Sequence, residues 1–181
     1  VQMTASSSKA ENLAKAETFV RLAAERGAAL LVLPAVFSWR GRHRKEPEQV
    51  ESIPGPTARR LQGLATRHAI HLLAGSFLEK SDESRAYNTS LLFSPDGDIL
   101  ACYRKIHLFD VDIPGQVSIQ ESDSMKPGEE VVTATTQLGT VGLSVCYDLR
   151  FPELYRGLTH RGAQIVFVPS AFPFPPGAPH W

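Results

Sequence analysis

Gly142-Leu143-Ser144-Val145-Cys146-Tyr147-Asp148-Leu149-Arg150-Phe151-Pro152-Glu153-Leu154 is the stretch whose reading decides the fold. An apolar run ends at a cysteine, the chain turns, and an amphipathic helix follows over 151–161. Phe151, Leu154, Tyr155 and Leu158 lie on one face of that helix, and Gly162 closes it. A cysteine at a strand's end, just ahead of a helix, is placed for nucleophilic work. The strand fixes its position, and backbone N–H groups ahead of it can hold a developing oxyanion. Free cysteines are also among the most buried residue types. The two readings of Cys146 balance until the strand-to-helix junction tips them toward a nucleophile.

Working outward, 163–169 continues as a buried apolar strand and 170–181 as a Pro-rich loop. Upstream, 131–136 and 140–146 flank a Leu138-Gly139 turn, and 87–94 and 98–104 flank Pro95-Asp96-Gly97, a strong hairpin signal. Residues 8–27 read as a helix: Ser8 and Glu11 have capping-box spacing, Leu13, Ala16, Phe19 (or Val20) and Ala23 form its apolar face, and Gly27 can end it. A second amphipathic helix spans 56–68, with Leu61, Leu64 and Ala65 on one side. The continuous apolar runs 28–34 and 70–76 suggest strands covered on both faces. Between these elements, 37–54 reads as a polar loop or short helix and 80–85 as a charged turn. The long stretch 109–127, punctuated by Pro114-Gly115 and Pro127-Gly128, reads as a loop of the functional kind. Buried strands alternating with amphipathic helices, with antiparallel hairpins inserted, make a layered α/β domain with mixed sheets. One domain over 1–181 is expected, since no repeat, linker or low-complexity segment divides it.

The bulk numbers agree with a globular domain: 181 residues, 43% hydrophobic and 21% charged. Lys plus Arg equals Asp plus Glu, which gives no support for a nucleic-acid or membrane-surface partner. No apolar run approaches the roughly 20 residues a bilayer span needs. The two cysteines, Cys102 and Cys146, form no disulfide framework and no metal-type spacing, so free thiols and a cytoplasmic setting are expected. The chain opens at Val1 without an initiator Met and stops at Trp181 just after a loop; the expectation is a piece of a longer protein, whose missing start leaves an organellar address open.

Lys105 follows the 98–104 strand. It reads as a solvated strand-end lysine or as a cation that lowers the thiol's pKa and supports an oxyanion. Glu121, in the long stretch, reads first as a surface charge. His107, His160 and His180 could each pair with Cys146 as in a thiol protease, and no local signature selects one.

Cys146-Tyr147-Asp148-Leu149-Arg150-Phe151-Pro152-Glu153 resembles the nucleophile motif of the nitrilase superfamily of carbon–nitrogen hydrolases. Tyr103-Arg104-Lys105 resembles its lysine motif, Leu33-Pro34 its first catalytic motif, and Pro169-Ser170-Ala171-Phe172 the strand end after the nucleophile. Pro114-Gly115, Gln120-Glu121-Ser122 and Pro127-Gly128 are similar to the Nit branch, which includes ω-amidase and deaminated-glutathione amidase. The resemblance covers almost the whole chain in order. It implies a four-layer αββα sandwich, here short at its C-terminal end, and homodimers or higher homo-oligomers built by packing helices of two sandwiches together. It implies no metal or organic cofactor, and a small linear amide, deaminated-glutathione-like, as substrate with water. By the same resemblance Cys146 is the nucleophile, Lys105 the oxyanion cation and Glu121 a supporting carboxylate, with the Tyr147 N–H and Phe172 at the substrate and oxyanion side.

One departure matters more than the match. The family's general-base glutamate directly follows Leu-Pro, and here that position is Ala35, in Leu33-Pro34-Ala35-Val36-Phe37. The nearest carboxylate onward is Glu46. General acid–base help contributes on the order of 10²–10⁴ in rate. Two expectations follow: an amidase whose turnover is impaired at position 35, or a nitrilase-fold binding or partner-forming protein that has lost turnover. A metal site or a Cys–His protease ranks a distant third.

Overall fold

The computed structural model describes residues 1–41, 48–81, 84–115 and 117–172. Glu46, His180 and most of the Pro-rich C-terminal loop therefore lie outside the described residues. The first helix, α1 (Lys9–Glu25), starts where Ser8 caps it, the Ser8 hydroxyl accepting the Glu11 N–H at 3.4 Å. Its buried stripe is Asn12, Ala16 and Val20, so the expected Leu13, Phe19 and Ala23 are only flanking. Asn12 can occupy the stripe because its amide donates to Ser6 O (2.7 Å) and Ser38 O (3.0 Å), which satisfies a buried polar group. Helix α2 (Pro56–His68) opens with Pro at its first position and buries Leu61, Leu64 and Ala65 as the periodicity predicts.

The strands are β1 (Leu30–Val32), β2 (His71–Leu73), β3 (Phe77–Lys80), β4 (Ala86–Phe93), β5 (Ile99–Arg104), β6 (Asp110–Ile113), β7 (Val117–Gln120), β8 (Thr133–Thr136), β9 (Gly139–Leu143) and β10 (Ile165–Phe167), with α3 (Pro152–His160) between the last two. A five-stranded mixed sheet has the path β1-β2-β4-β3, with β5 on the other edge of β4. Strands β1 and β2 run parallel, as expected of runs joined through a helix. The pairs Leu72↔Phe93 and Leu78↔Asn88 put β2 and β3 end to end along one edge of β4. A three-stranded sheet, β10-β9-β8, lies opposite, and β6 and β7 form a separate two-stranded ribbon.

Two apolar clusters define the layers. Ala16 and Val20 of α1 and Leu61, Leu64 and Ala65 of α2 pack against Leu31, Leu72, Leu91 and Phe93 on one face of the large sheet. Leu73, Leu92, Ala101 and Tyr103 on its other face pack with Val141, Leu143 and Val145 of the small sheet, whose outer side carries Leu154 and Leu158 of α3. The order is helices, sheet, sheet, helix: the αββα sandwich.

Three sequence expectations are corrected. The strands at 28–34, 70–76 and 163–169 are trimmed to three residues each, and β3 fills the gap between the 70–76 run and the charged turn, overlapping that turn at Lys80. The long stretch 109–127 is no structureless loop: β6 and β7 pair within it, with Val111 opposite Ile119. Cys146 also does not sit directly between strand and α-helix. Strand β9 stops at Leu143, and a 3-10 helix over Cys146–Arg150 intervenes before α3.

Candidate active site

Cys146 opens that 3-10 helix with φ of +51°, a left-handed conformation that a side chain with a Cβ rarely takes. The turn is held by its surroundings. The Cys146 N–H donates to Pro169 O at the end of the neighbouring strand (2.9 Å), and the Val145 N–H donates to the Asp148 carboxylate (2.8 Å). With the Cys146 N–H spent on Pro169, the Tyr147 N–H is the next donor of the first turn, where backbone N–H groups lack an intrahelical partner. The Tyr147 ring packs edge-on against Phe109 (centroids 4.9 Å apart) and Phe151 (5.6 Å).

Asp148 is fully buried. Besides Val145 N–H it accepts the Tyr103 hydroxyl (2.7 Å) and the His107 backbone N–H (3.0 Å), and it lies 2.7 Å from His107 Nδ1. Burial pushes the Tyr103 phenol well up and the Asp148 carboxylate adds to this, so Tyr103 stays a donor. The His107 ring also stacks on Phe151, centroids 3.7 Å apart and planes 7° from parallel. His107 is thus engaged as a brace for the turn, and His160 sits exposed at the end of α3.

Lys105 follows β5 and is 3% exposed, against the solvated alternative. Its ammonium donates to Glu121 Oε2 at 2.5 Å. The same oxygen accepts the Phe109 N–H (2.6 Å), and Oε1 accepts the Asn88 amide of the adjacent strand (3.1 Å). A buried cation needs such a partner. The carboxylate is anchored by donors from two further segments, so Glu121 is a half-buried, held charge rather than a free surface one. Gly128 explains the Pro127-Gly128 punctuation: its N–H donates to Lys105 O (2.8 Å), and a Cβ there would lie 2.2 Å from Arg104 O.

Position 35 follows β1 in a tightly held corner. Ala35 is 4% exposed. Val36 has φ of +49°, an outlier for a β-branched residue, and its N–H is held by Ser76 Oγ (2.9 Å). The Phe37 N–H donates to Ser76 O (3.2 Å). Gly75 is the enabling neighbour: a Cβ there would meet Pro34 O at 2.0 Å.

Ala35, Lys105, Glu121, Asn88, Cys146 and Phe172 all line one cavity of about 650 Å³. Elsewhere its walls are mixed, with Trp39, Leu78, Phe109, Ile119 and Met125 beside Arg40, Gln120 and Asp123. Of the proposed residues, Tyr147 does not line the cavity with its side chain; only its backbone is at issue. The second cysteine, Cys102, lies on β5 away from the cavity, and desolvation of its sulfur, with Glu79 adding, pushes the thiol up to about 11. Asn88, Asp148 and Ser76 are site-building residues that the sequence reading did not single out. Among the described residues no group of three metal-type side chains is assembled, and no helix is long and apolar enough to cross a membrane.

The model of the carbon–nitrogen hydrolase family matches residues 1–181, and the chain belongs to that family. It is 41% identical over 181 residues to the human omega-amidase NIT2, covering all of this chain and 65% of that protein. It is 40% identical over 185 residues to a deaminated glutathione amidase of Synechocystis, covering 68% of it. The fold superposes on Saccharomyces cerevisiae Nit3, a member of branch 10 of the nitrilase superfamily, with TM-score 0.87 and 33% identity over all of this chain and 66% of that one. It also superposes, with TM-score 0.82 and 27% identity over 98% of this chain and 66% of that one, on an amidase from Nesterenkonia sp. AN1. That amidase is a glutamate-to-leucine variant carrying the acetamide moiety of fluoroacetamide on its active-site cysteine. The chain thus spans about two thirds of the length of the proteins it matches.

Proposed function

We propose that this chain carries the acylation half of an amidase site, acting on a small linear amide of the omega-amide or deaminated-glutathione type. The observation that carries this reading is the convergence of Cys146, Lys105 and Glu121 on one cavity from three separate segments. The Cys146 thiolate attacks the amide carbonyl. The negative charge that develops on its oxygen is met by the Lys105 ammonium and the Tyr147 N–H, donors fixed before the reaction begins. Collapse breaks the carbon–nitrogen bond, the nitrogen leaves as ammonia once it has gained a proton, and a thioester remains on Cys146. Water then hydrolyses the thioester to the free acid and restores the thiol. Every atom comes from the amide, water and side chains of the protein.

Ala35 sits on the cavity wall at the position where the family places its proton-transferring glutamate. Glu121 does not substitute for it, because both its oxygens already accept hydrogen bonds. Proton delivery to the leaving nitrogen and proton removal from water are therefore both slowed, and the thioester outlives the attack. A related amidase with one glutamate replaced by leucine carries the acetamide moiety of fluoroacetamide on its active-site cysteine, which supports a cysteine in this fold that reacts although one glutamate is missing. The test is mass spectrometry of the chain after incubation with an omega-amide, beside ammonia release by the parent and by Ala35→Glu. An acyl adduct on Cys146 in the parent, and ammonia release raised about 10²–10⁴-fold in Ala35→Glu, are expected. Ala35 itself favours a second reading, a nitrilase-fold binding protein. An unmodified Cys146, with no gain from Ala35→Glu in a folded chain, decides for it.

A further inference from the structure

We infer that Asp148 is a positioning residue that locks Cys146 to Lys105 across the two sheets; the inference rests on the amidase reading above. Lys105 is the middle residue of a segment whose ends, Tyr103 and His107, both bind Asp148. Cys146 stands between Val145 and Tyr147, and the Val145 N–H is held by the other Asp148 contact. A single buried carboxylate therefore joins the segment that carries the cation to the turn that carries the thiol. The stack of His107 on Phe151 closes the same bracket from the far end of the turn.

The arrangement answers a physical problem. Lys105 is mounted on the five-stranded sheet and Cys146 on the three-stranded one, and apolar packing between sheets does not specify a sulfur-to-nitrogen geometry to a few tenths of an ångström. Directional hydrogen bonds to a buried acceptor do. The turn is also strained at Cys146 φ, and strain persists only where the surroundings over-determine it. Asp148 supplies that over-determination without touching the cavity; it is absent from the cavity lining.

The test needs no turnover and uses the chain as it stands. Cys146 and Cys102 are alkylated with iodoacetamide at a series of pH values and quantified separately by mass spectrometry, in the parent, in Asp148→Asn and in Tyr103→Phe. Cys102 serves as the internal reference, since it lies on β5 outside the bracket, where desolvation pushes its thiol up to about 11. In the parent, Cys146 alkylates at lower pH than Cys102. Asp148→Asn moves the Cys146 alkylation profile toward higher pH, so that alkylation at a given pH falls about tenfold, while the Cys102 profile stays in place. Tyr103→Phe, which removes one arm of the bracket and no charge, moves it the same way by less. Superimposable Cys146 profiles overturn the inference. So does a downward shift in Asp148→Asn, the direction expected when a nearby negative charge is simply removed. If Asp148→Asn fails to fold, Tyr103→Phe decides alone. A parent Cys146 no more reactive than Cys102 removes the amidase reading itself, and the inference falls with it.

Discussion

Cys146 and Val36 hold φ of +51° and +49°, and both line the same cavity. Each stores strain of order 1–3 kcal/mol, and each is held by neighbours that look unremarkable in the sequence. Gly75 is the sharpest case. Its φ of +58° and the 2.0 Å approach of an added Cβ to Pro34 O leave no room for alanine without moving the backbone that presents Ala35. Gly75→Ala is expected to destabilise the fold by about 1–3 kcal/mol, read as a lowered urea midpoint at unchanged slope; a midpoint equal to the parent's removes Gly75 from the corner's support. This explains which site residues the sequence made legible. Cys146, Lys105 and position 35 follow apolar runs at recognisable junctions. Asn88 sits inside the strand run and Ser76 in a run read as strand. They matter only through partners 33 and 40 residues away, and strand pairing, not local pattern, brings those together.

At the scale of the element, helix α2 shows how a start without a capping side chain of its own is completed. Its N-cap is Gly55, which offers none. Glu51 supplies the missing acceptor from the preceding loop: it takes the Thr57 N–H at 2.7 Å and the Thr57 hydroxyl at 2.8 Å, and it pairs with Lys9 of α1. Burial alone would raise the Glu51 carboxyl; the hydrogen bonds from Lys9 and Thr57 outweigh it and hold the group below its ordinary value. A depressed folded-state pKa means that the stabilisation is present above the unfolded value, about 4.3. It is lost as pH falls from there through the folded value. Thermal midpoints measured between about pH 7 and pH 3 are expected to fall in the parent and to fall less in Glu51→Gln, whose midpoint at pH 7 is already lower by the equivalent of about 1 kcal/mol. Equal pH slopes in the two proteins rule Glu51 out as the titrating group. The elements the sequence misread fail for related reasons. Strand β3 was masked because Gly75 and Ser76 punctuate an apolar run and charged residues follow it. The β6–β7 ribbon alternates Asp110 and Asp112 with Val111 and Ile113 around Pro114-Gly115, and its faces stay largely exposed; a strand pattern that buries no face reads as loop.

Across the whole molecule, the candidate site belongs to neither sheet. Lys105 leaves the end of β5 in the large sheet, and Cys146 leaves the end of β9 in the small one, so the cluster between the sheets sets how far apart they stand. The cluster between the helices and the large sheet stabilises the fold from the other side and reaches no cavity residue through the small sheet. The layering makes the two cores separable in function though not in stability. Leu92 and Leu61 are both fully buried, one in each cluster. Leu92→Ala and Leu61→Ala are each expected to cost about 2–5 kcal/mol, the range for deleting a buried leucine side chain. Their effects on Cys146 then diverge. Under conditions where both variants are folded, Leu92→Ala slows alkylation of Cys146 by iodoacetamide, because the sheets settle toward the void and the thiolate loses its registered cation. Leu61→Ala leaves the rate at the parent's value. Equal slowing in both variants means that the distance between cation and thiol is governed by global stability. The assignment of that distance to the inter-sheet core then fails.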